Sequence, residues 1–185
     1  GFMTGFEYDF GNGFTLAAGY AGSEKGVMTK ENIDGYTLNA AYMADNYGLS
    51  ITYGSLEAGT TNVYENTNDY IALNGYYSFD NGLNVSAGYE LGTLGGAAGT
   101  ADETLAYFLG INGDVGPGEL GAAVGTKGSA TEVSGAITEE LMYEIYYSYP
   151  VNDGMTITPL AYIKEEADTG VPDQTGIMVL TTFKF

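Results

Sequence analysis

The chain of 185 residues has no cysteine, no histidine, no tryptophan and no arginine, and only four prolines. Without cysteine there are no disulfides, iron–sulfur clusters, thiolate zinc sites or sulfur nucleophiles. Without histidine the commonest metal ligand and general base are gone. All five basic residues are lysines (Lys25, Lys30, Lys127, Lys164 and Lys184), against 24 acids, for a formal charge of -19. Nucleic acid is therefore excluded as a partner, because phosphate recognition needs a basic surface. No apolar run approaches the roughly eighteen residues of a membrane helix. Any crossing of a membrane must use strands.

Catalytic readings fail on inventory. The lysines have no motif around them that would activate a serine. Glu139/Glu140 and Glu165/Glu166 are sequence neighbours, and neighbours in a strand point to opposite faces, so neither pair can share acid–base work. Gly92-Thr93-Leu94-Gly95-Gly96 lacks the lysine and the following helix of a phosphate loop. Glu65, Asn66, Asn68 and Asp69 offer oxygen ligands but not the spacing of a calcium loop. The chain reads as a non-enzyme with no cofactor and no metal.

What is abundant is glycine (29) and tyrosine (17), in segments that alternate apolar and polar residues. That is the period of a two-faced strand. Eleven strands are predicted: 1–10, 14–22, 35–44, 47–56, 69–79, 83–94, 104–113, 119–127, 140–150, 155–165 and 175–185. Five connections are short and carry hairpin chemistry, as in Gly11-Asn12-Gly13, Asp45-Asn46, Asp80-Asn81-Gly82, Asp114–Gly118 and Asn152-Asp153-Gly154. The other five, 23–34, 57–68, 95–103, 128–139 and 166–174, are long and acidic. Short and long alternate without exception. Greek-key crossovers would scramble that order, and a fixed repeat per coil, as in a secreted β-solenoid adhesin, is missing. The pattern predicts an all-β, antiparallel up-and-down transmembrane β-barrel over residues 1–185 as one domain.

One parity of each strand is apolar. Phe14/Tyr20, Tyr36/Tyr42, Tyr47/Tyr53 and Tyr143/Tyr149 place aromatics six residues apart on it, and Phe185 continues the series Ile177, Val179, Phe183. Six strand residues span roughly 20 Å, which suits two aromatic girdles at the edges of an apolar band. Pro159 predicts a local bulge, since it cannot donate to a ladder. An odd strand count predicts further strands before Gly1, the chain being the C-terminal part of a larger, even-stranded barrel.

Most acids fall in or beside the long connections, while Asp9, Asp45, Asp80, Asp114, Glu119 and Asp153 sit at short turns. Glu7, Glu90 and Glu144 lie within strands, on the polar parity. With Tyr146, Lys164 and Lys184 they are the candidates for lining a pore. Three carboxylates and an acidic vestibule bias a pore toward cations, and the missing arginine argues against a phosphate channel. The function expected is passive diffusion of small solutes and inorganic ions. The alternative is a non-conducting structural or receptor barrel.

The tail Tyr149-Pro150-Val151-Asn152-Asp153-Gly154-Met155-Thr156-Ile157-Thr158-Pro159, with the ending Thr181-Thr182-Phe183-Lys184-Phe185, resembles the end of cyanobacterial outer-membrane porins. These carry an N-terminal S-layer-homology domain and an OprB-type barrel. The match covers the last two strands, and the remainder agrees in style. The resemblance implies a trimeric, water-filled pore set among membrane lipids and lipopolysaccharide. It also implies a cell-wall-polymer-binding domain outside this sequence.

Overall fold

The computed structural model describes residues 2–22, 34–58, 66–95, 101–126, 130–133, 136–138, 140–166 and 170–184. Its strands are β1 (Phe2–Asp9), β2 (Phe14–Gly22), β3 (Asp34–Met43), β4 (Tyr47–Ala58), β5 (Asn66–Ser78), β6 (Asn84–Gly95), β7 (Ala101–Val115), β8 (Gly118–Thr126), β9 (Ala130–Val133), β10 (Ala136–Thr138), β11 (Leu141–Asn152), β12 (Met155–Lys164) and β13 (Gln174–Phe183). Eleven of them form one meander in the order β1-β2-β3-β4-β5-β6-β7-β8-β11-β12-β13. Every neighbouring pair is antiparallel.

The short turns are made by local chemistry. Asp9 accepts a hydrogen bond from the Gly11 amide (2.8 Å), Asn12 from Phe14 (3.1 Å), Asn81 from Leu83 (3.1 Å) and Asn152 from Gly154 (2.9 Å). Each is a side chain standing in for a backbone turn bond two residues on. Gly82 adopts φ +83°, a left-handed value that its place in the Asp80-Asn81-Gly82 turn requires.

Register carries one face through the whole meander. Phe14, Leu16, Ala18 and Tyr20 lie opposite Tyr42, Ala40, Leu38 and Tyr36; Leu38 and Ala40 then meet Tyr53 and Ile51, and Ile51 meets Leu73. Leu73 continues to Tyr89 and Tyr107; on the next rungs Leu109 meets Val124, and Val124 meets Tyr143. The apolar parity of each strand thus joins the apolar parity of the next. Partners in an antiparallel ladder share a face, so these residues make one continuous apolar surface.

Nothing among the described residues covers it. Among the described residues no large side chain is fully buried, and Leu73 (55%), Ile145 (51%) and Val179 (61%) stand exposed at mid-strand. In a water-soluble domain a sheet face this apolar packs against a second layer.

Several features depart from the sequence reading, among them the strand ends at the second long connection, where β4 runs to Ala58 and β5 begins at Asn66. The segment 128–139, expected as a plain connection, holds the β9–β10 hairpin, whose β9 joins β7 at Thr104 and Leu105. Its residues Ala130-Thr131-Glu132-Val133 and Ala136-Ile137-Thr138 include β-branched strand formers, too few to show a period. No bulge forms at Pro159. The β11–β12 ladder skips the rungs beside it but resumes in the same register, because flanking pairs hold it. Thr158 bridges the gap by donating to Ser148 (3.2 Å), and the register shift falls instead at Pro150/Asn152. β7 also begins at Ala101 rather than 104, extended by its pairing with β6.

Among the described strands β1 and β13 are not paired with each other. An odd meander leaves its first and last strands running the same way, so direct closure would make a parallel seam. Gly82→Ala isolates the turn strain, because a methyl at that site meets nothing nearer than 3.6 Å. It should cost about 1–2 kcal/mol, measured by urea unfolding in detergent micelles.

Candidate functional site

The polar face is the candidate site. Its floor is small residues, which set its profile. Five aromatic rings lie across the glycine directly opposite them: Tyr70 over Gly92, Tyr76 over Gly48, Phe108 over Gly88, Tyr146 over Gly121 and Tyr162 over Gly176. At each of these glycines an added Cβ would run into the ring. Ring and glycine thus fill one another's space, shielding backbone that glycine leaves bare. A large side chain takes up little height above such a wall.

Register puts Glu7, Glu90, Glu144, Tyr146 and Lys164 on this one parity, while Lys184 follows the last strand and lies outside the ladder. It does not gather the three carboxylates. Glu7 and Glu90 share one rung, Glu7–Ala17–Asn39–Thr52–Ala72–Glu90, and so stand five strands apart, roughly 24 Å along the wall. Asn39 donates to Thr52 within that rung (2.7 Å). Glu144 belongs to another rung, with Ala123, Gly110 and Ser86. None of the three carboxylates makes a hydrogen bond among the described residues. The Lys164 ammonium lies over the Tyr162 ring (5.1 Å to its centroid), and Tyr162 faces Glu144 across the ladder. Lys184 is fixed at the far end of the last strand, where its amide donates to the Gly154 carbonyl (2.9 Å).

Two acids assigned to turns belong to this face instead. Asp114 is the penultimate residue of β7 and Glu119 the second of β8, opposite one another. The Glu119 carboxylate accepts from the Tyr146 hydroxyl and from the Asn112 side-chain amide, both at 2.8 Å. The sequence signal was there in the parity of Glu119 with Gly121 and Ala123, but Pro117-Gly118 beside it reads as turn.

On the apolar face aromatics collect at both strand ends. Near the short turns lie Tyr8/Phe10 (4.8 Å between centroids), Phe10/Phe14 (5.6 Å), Tyr42/Tyr47 (5.9 Å), Tyr77/Phe79 (4.7 Å) and Tyr147/Tyr149 (6.5 Å). Near the long connections lie Phe2/Tyr20 (6.4 Å) and Tyr36/Tyr53 (6.2 Å). Phe2, Tyr8, Phe10, Tyr77, Phe79 and Tyr147 add to the set expected from sequence; Phe185 lies outside the described residues. The hydroxyls end on polar groups: Tyr20 donates to Asp34 (3.2 Å), Tyr53 to Asp69 (2.8 Å) and Tyr143 to Glu165 (3.1 Å). At the opposite end Tyr147 donates to the Val115 carbonyl (2.8 Å) and Tyr77 accepts from Asn46 (3.1 Å). A ring with an apolar body and an anchored polar tip belongs where an apolar layer meets water.

No group of three acidic side chains positioned to hold a metal occurs among the described residues. Of the four oxygen donors considered for calcium, Glu65 lies outside the described residues. Asn68 accepts from the Gly95 amide (3.2 Å), and Asp69 is engaged by Tyr53 on the other face.

No family model matches the chain, and no curated protein matches it significantly. Solved structures do. The chain is similar to a porin refined at 1.8 Å, with a TM-score of 0.73 and 22% identity over 98% of this chain and 60% of that one. It is also similar to an anion-selective porin from Comamonas acidovorans, with a TM-score of 0.76 and 18% identity over 99% of this chain and 59% of that one. The fold is thus that of a porin barrel wall. The chain spans about 60% of the length of these porins.

The ring–glycine pairing is testable by a double-mutant cycle. Gly121→Val should destabilise by about 1–3 kcal/mol through overpacking against Tyr146. Tyr146→Ala in the same chain should recover part of that loss, a coupling read from urea unfolding in micelles.

Proposed function

We propose that this chain is a large part of an outer-membrane porin wall, through which small solutes and inorganic ions diffuse passively. The observation that carries the reading is the apolar parity that continues from strand to strand across eleven strands, opposite a parity in which most residues are small, polar or acidic, with rings such as Tyr146 and a few aliphatics (Leu160, Met178, Leu180) set among them. Bilayer hydrocarbon would cover the first, and water would fill the space behind the second. The aromatic clusters at the strand ends would then be girdles at the two membrane–water boundaries.

Several finer points belong to the same proposal. The closed barrel has an even strand number, and the strands beyond these eleven come from sequence before Gly1. Through its ending, the chain resembles cyanobacterial porins with an S-layer-homology domain and an OprB-type barrel. That resemblance supports a homotrimer in contact with membrane lipids and lipopolysaccharide, tethered to cell-wall polymer by a domain outside this sequence. We assign a cation preference. A solved neighbour with this fold is an anion-selective porin, so fold does not set the sign; the charge on the lining does. Here that lining carries Glu7, Glu90, Glu144, Asp114 and Glu119 against Lys164 and Lys184.

In planar bilayers the full-length protein should show stable conductance steps, with reversal potentials in a potassium chloride gradient favouring potassium. A plugged, receptor-type barrel gives no steps, and chloride preference overturns the cation assignment. A paired substitution tests the faces. Leu49→Lys should lose about 2–4 kcal/mol of folding stability in liposomes, whereas Ser50→Lys on the next residue should lose far less.

A further inference from the structure

Glu119 stands apart from the other acids of the polar face. It sits near the start of β8, opposite Asp114 of β7 and Ser148 of β11. Its two carboxylate oxygens are held separately: Oε1 by the Tyr146 hydroxyl and Oε2 by the Asn112 amide, each at 2.8 Å. Tyr146 and Asn112 both lie opposite Gly121 in their own ladders, and the Tyr146 ring occupies the space a side chain there would take. Three strands thus converge on one carboxylate. Both donors are neutral, and no basic side chain pairs with Glu119 among the described residues. Its charge is held in place without being cancelled.

Glu7, Glu90 and Glu144 have no such clamp among the described residues. A swinging carboxylate spreads its field over several rotamers and over the water around it. A clamped one presents the same field to every passing ion. Glu144 lies two residues before Tyr146 on the same face, so carboxylates flank that ring on both sides.

We infer that Glu119, fixed by Tyr146 and Asn112, is a specificity-determining residue that sets the cation preference of this stretch of the pore. The inference rests on the channel reading above. It is tested in the full-length protein by reversal potentials of wild type, Glu119→Gln, Glu119→Asp and Tyr146→Phe, each accepted only when it shows stable steps. Glu119→Gln should lower the cation-to-anion permeability ratio about twofold in dilute salt. That difference should shrink as the screening length falls from about 10 Å at 0.1 M to about 3 Å at 1 M salt. A difference that persists at high salt marks a reshaped pore and overturns the charge role. Tyr146→Phe keeps the charge but removes one clamp, so its ratio should fall between wild type and Glu119→Gln; a wild-type ratio overturns the clamp. Glu119→Asp should stay above Glu119→Gln, and equality with it overturns the inference, as does a wild-type ratio for Glu119→Gln. If Glu119→Gln does not insert, the Glu7→Gln/Glu90→Gln/Glu144→Gln triple variant, which leaves Glu119 and its clamp intact, should keep the cation preference, and loss of that preference overturns the inference. The channel reading fails separately, when wild type shows no steps or prefers chloride.

Discussion

Register is the constraint on which everything else depends. A strand presents alternate residues to opposite sides, so a one-residue slip between any two strands would move a whole apolar row to the polar face. Ten successive antiparallel ladders hold that phase from β1 to β13, and the one register shift, at Pro150/Asn152, falls at the turn end of β11, beyond the rungs that carry the faces. The tight turns defend it. Asp9, Asn12, Asn81 and Asn152 each close a local bond two residues ahead, which fixes where the returning strand begins. Even where Pro159 interrupts the β11–β12 ladder, the Thr158–Ser148 bond lies in the gap and the phase survives.

The same alternation explains how these strands can be stable with no large side chain fully buried among the described residues. Backbone groups are satisfied strand to strand, so the sheet can present an apolar face on one side and a polar face on the other. Tyrosines then mark the limits of the apolar band, since their hydroxyls reach Asp34, Asp69 and Glu165 at one end and the Val115 carbonyl at the other. On the polar face, glycine and aromatic side chains are complementary: the rings lie flat on the wall because the residues opposite them have no Cβ.

Strand positions and face parity were legible in the sequence because both are local: alternation needs only neighbours, and Asn-Gly and Asp-Gly turns need only four residues. The rest depends on partners distant in sequence. Tyr146 meets Gly121 and Glu119 only after β8 and β11 are paired, across the intervening β9–β10 hairpin. That pairing is invisible in a window around any of the three. Glu119 was counted among the turn acids for the same reason, since its nearest neighbours Pro117 and Gly118 read as turn while its contacts with Tyr146 and Asn112 come from other strands. Pro159 was read through its missing donor alone, although the ladder around it decides whether a bulge forms.

The central claim is that the apolar parity faces lipid and the polar parity faces water. The most direct measurement is residue-by-residue accessibility along β4, with a nitroxide label placed singly at Leu49, Ser50, Ile51, Thr52 and Tyr53 in liposome-reconstituted full-length protein. Collision with oxygen dissolved in the bilayer should be high at Leu49, Ile51 and Tyr53. Collision with a water-soluble nickel chelate should be high at Ser50 and Thr52. A profile without that two-residue alternation, or with its phase reversed, would contradict the account.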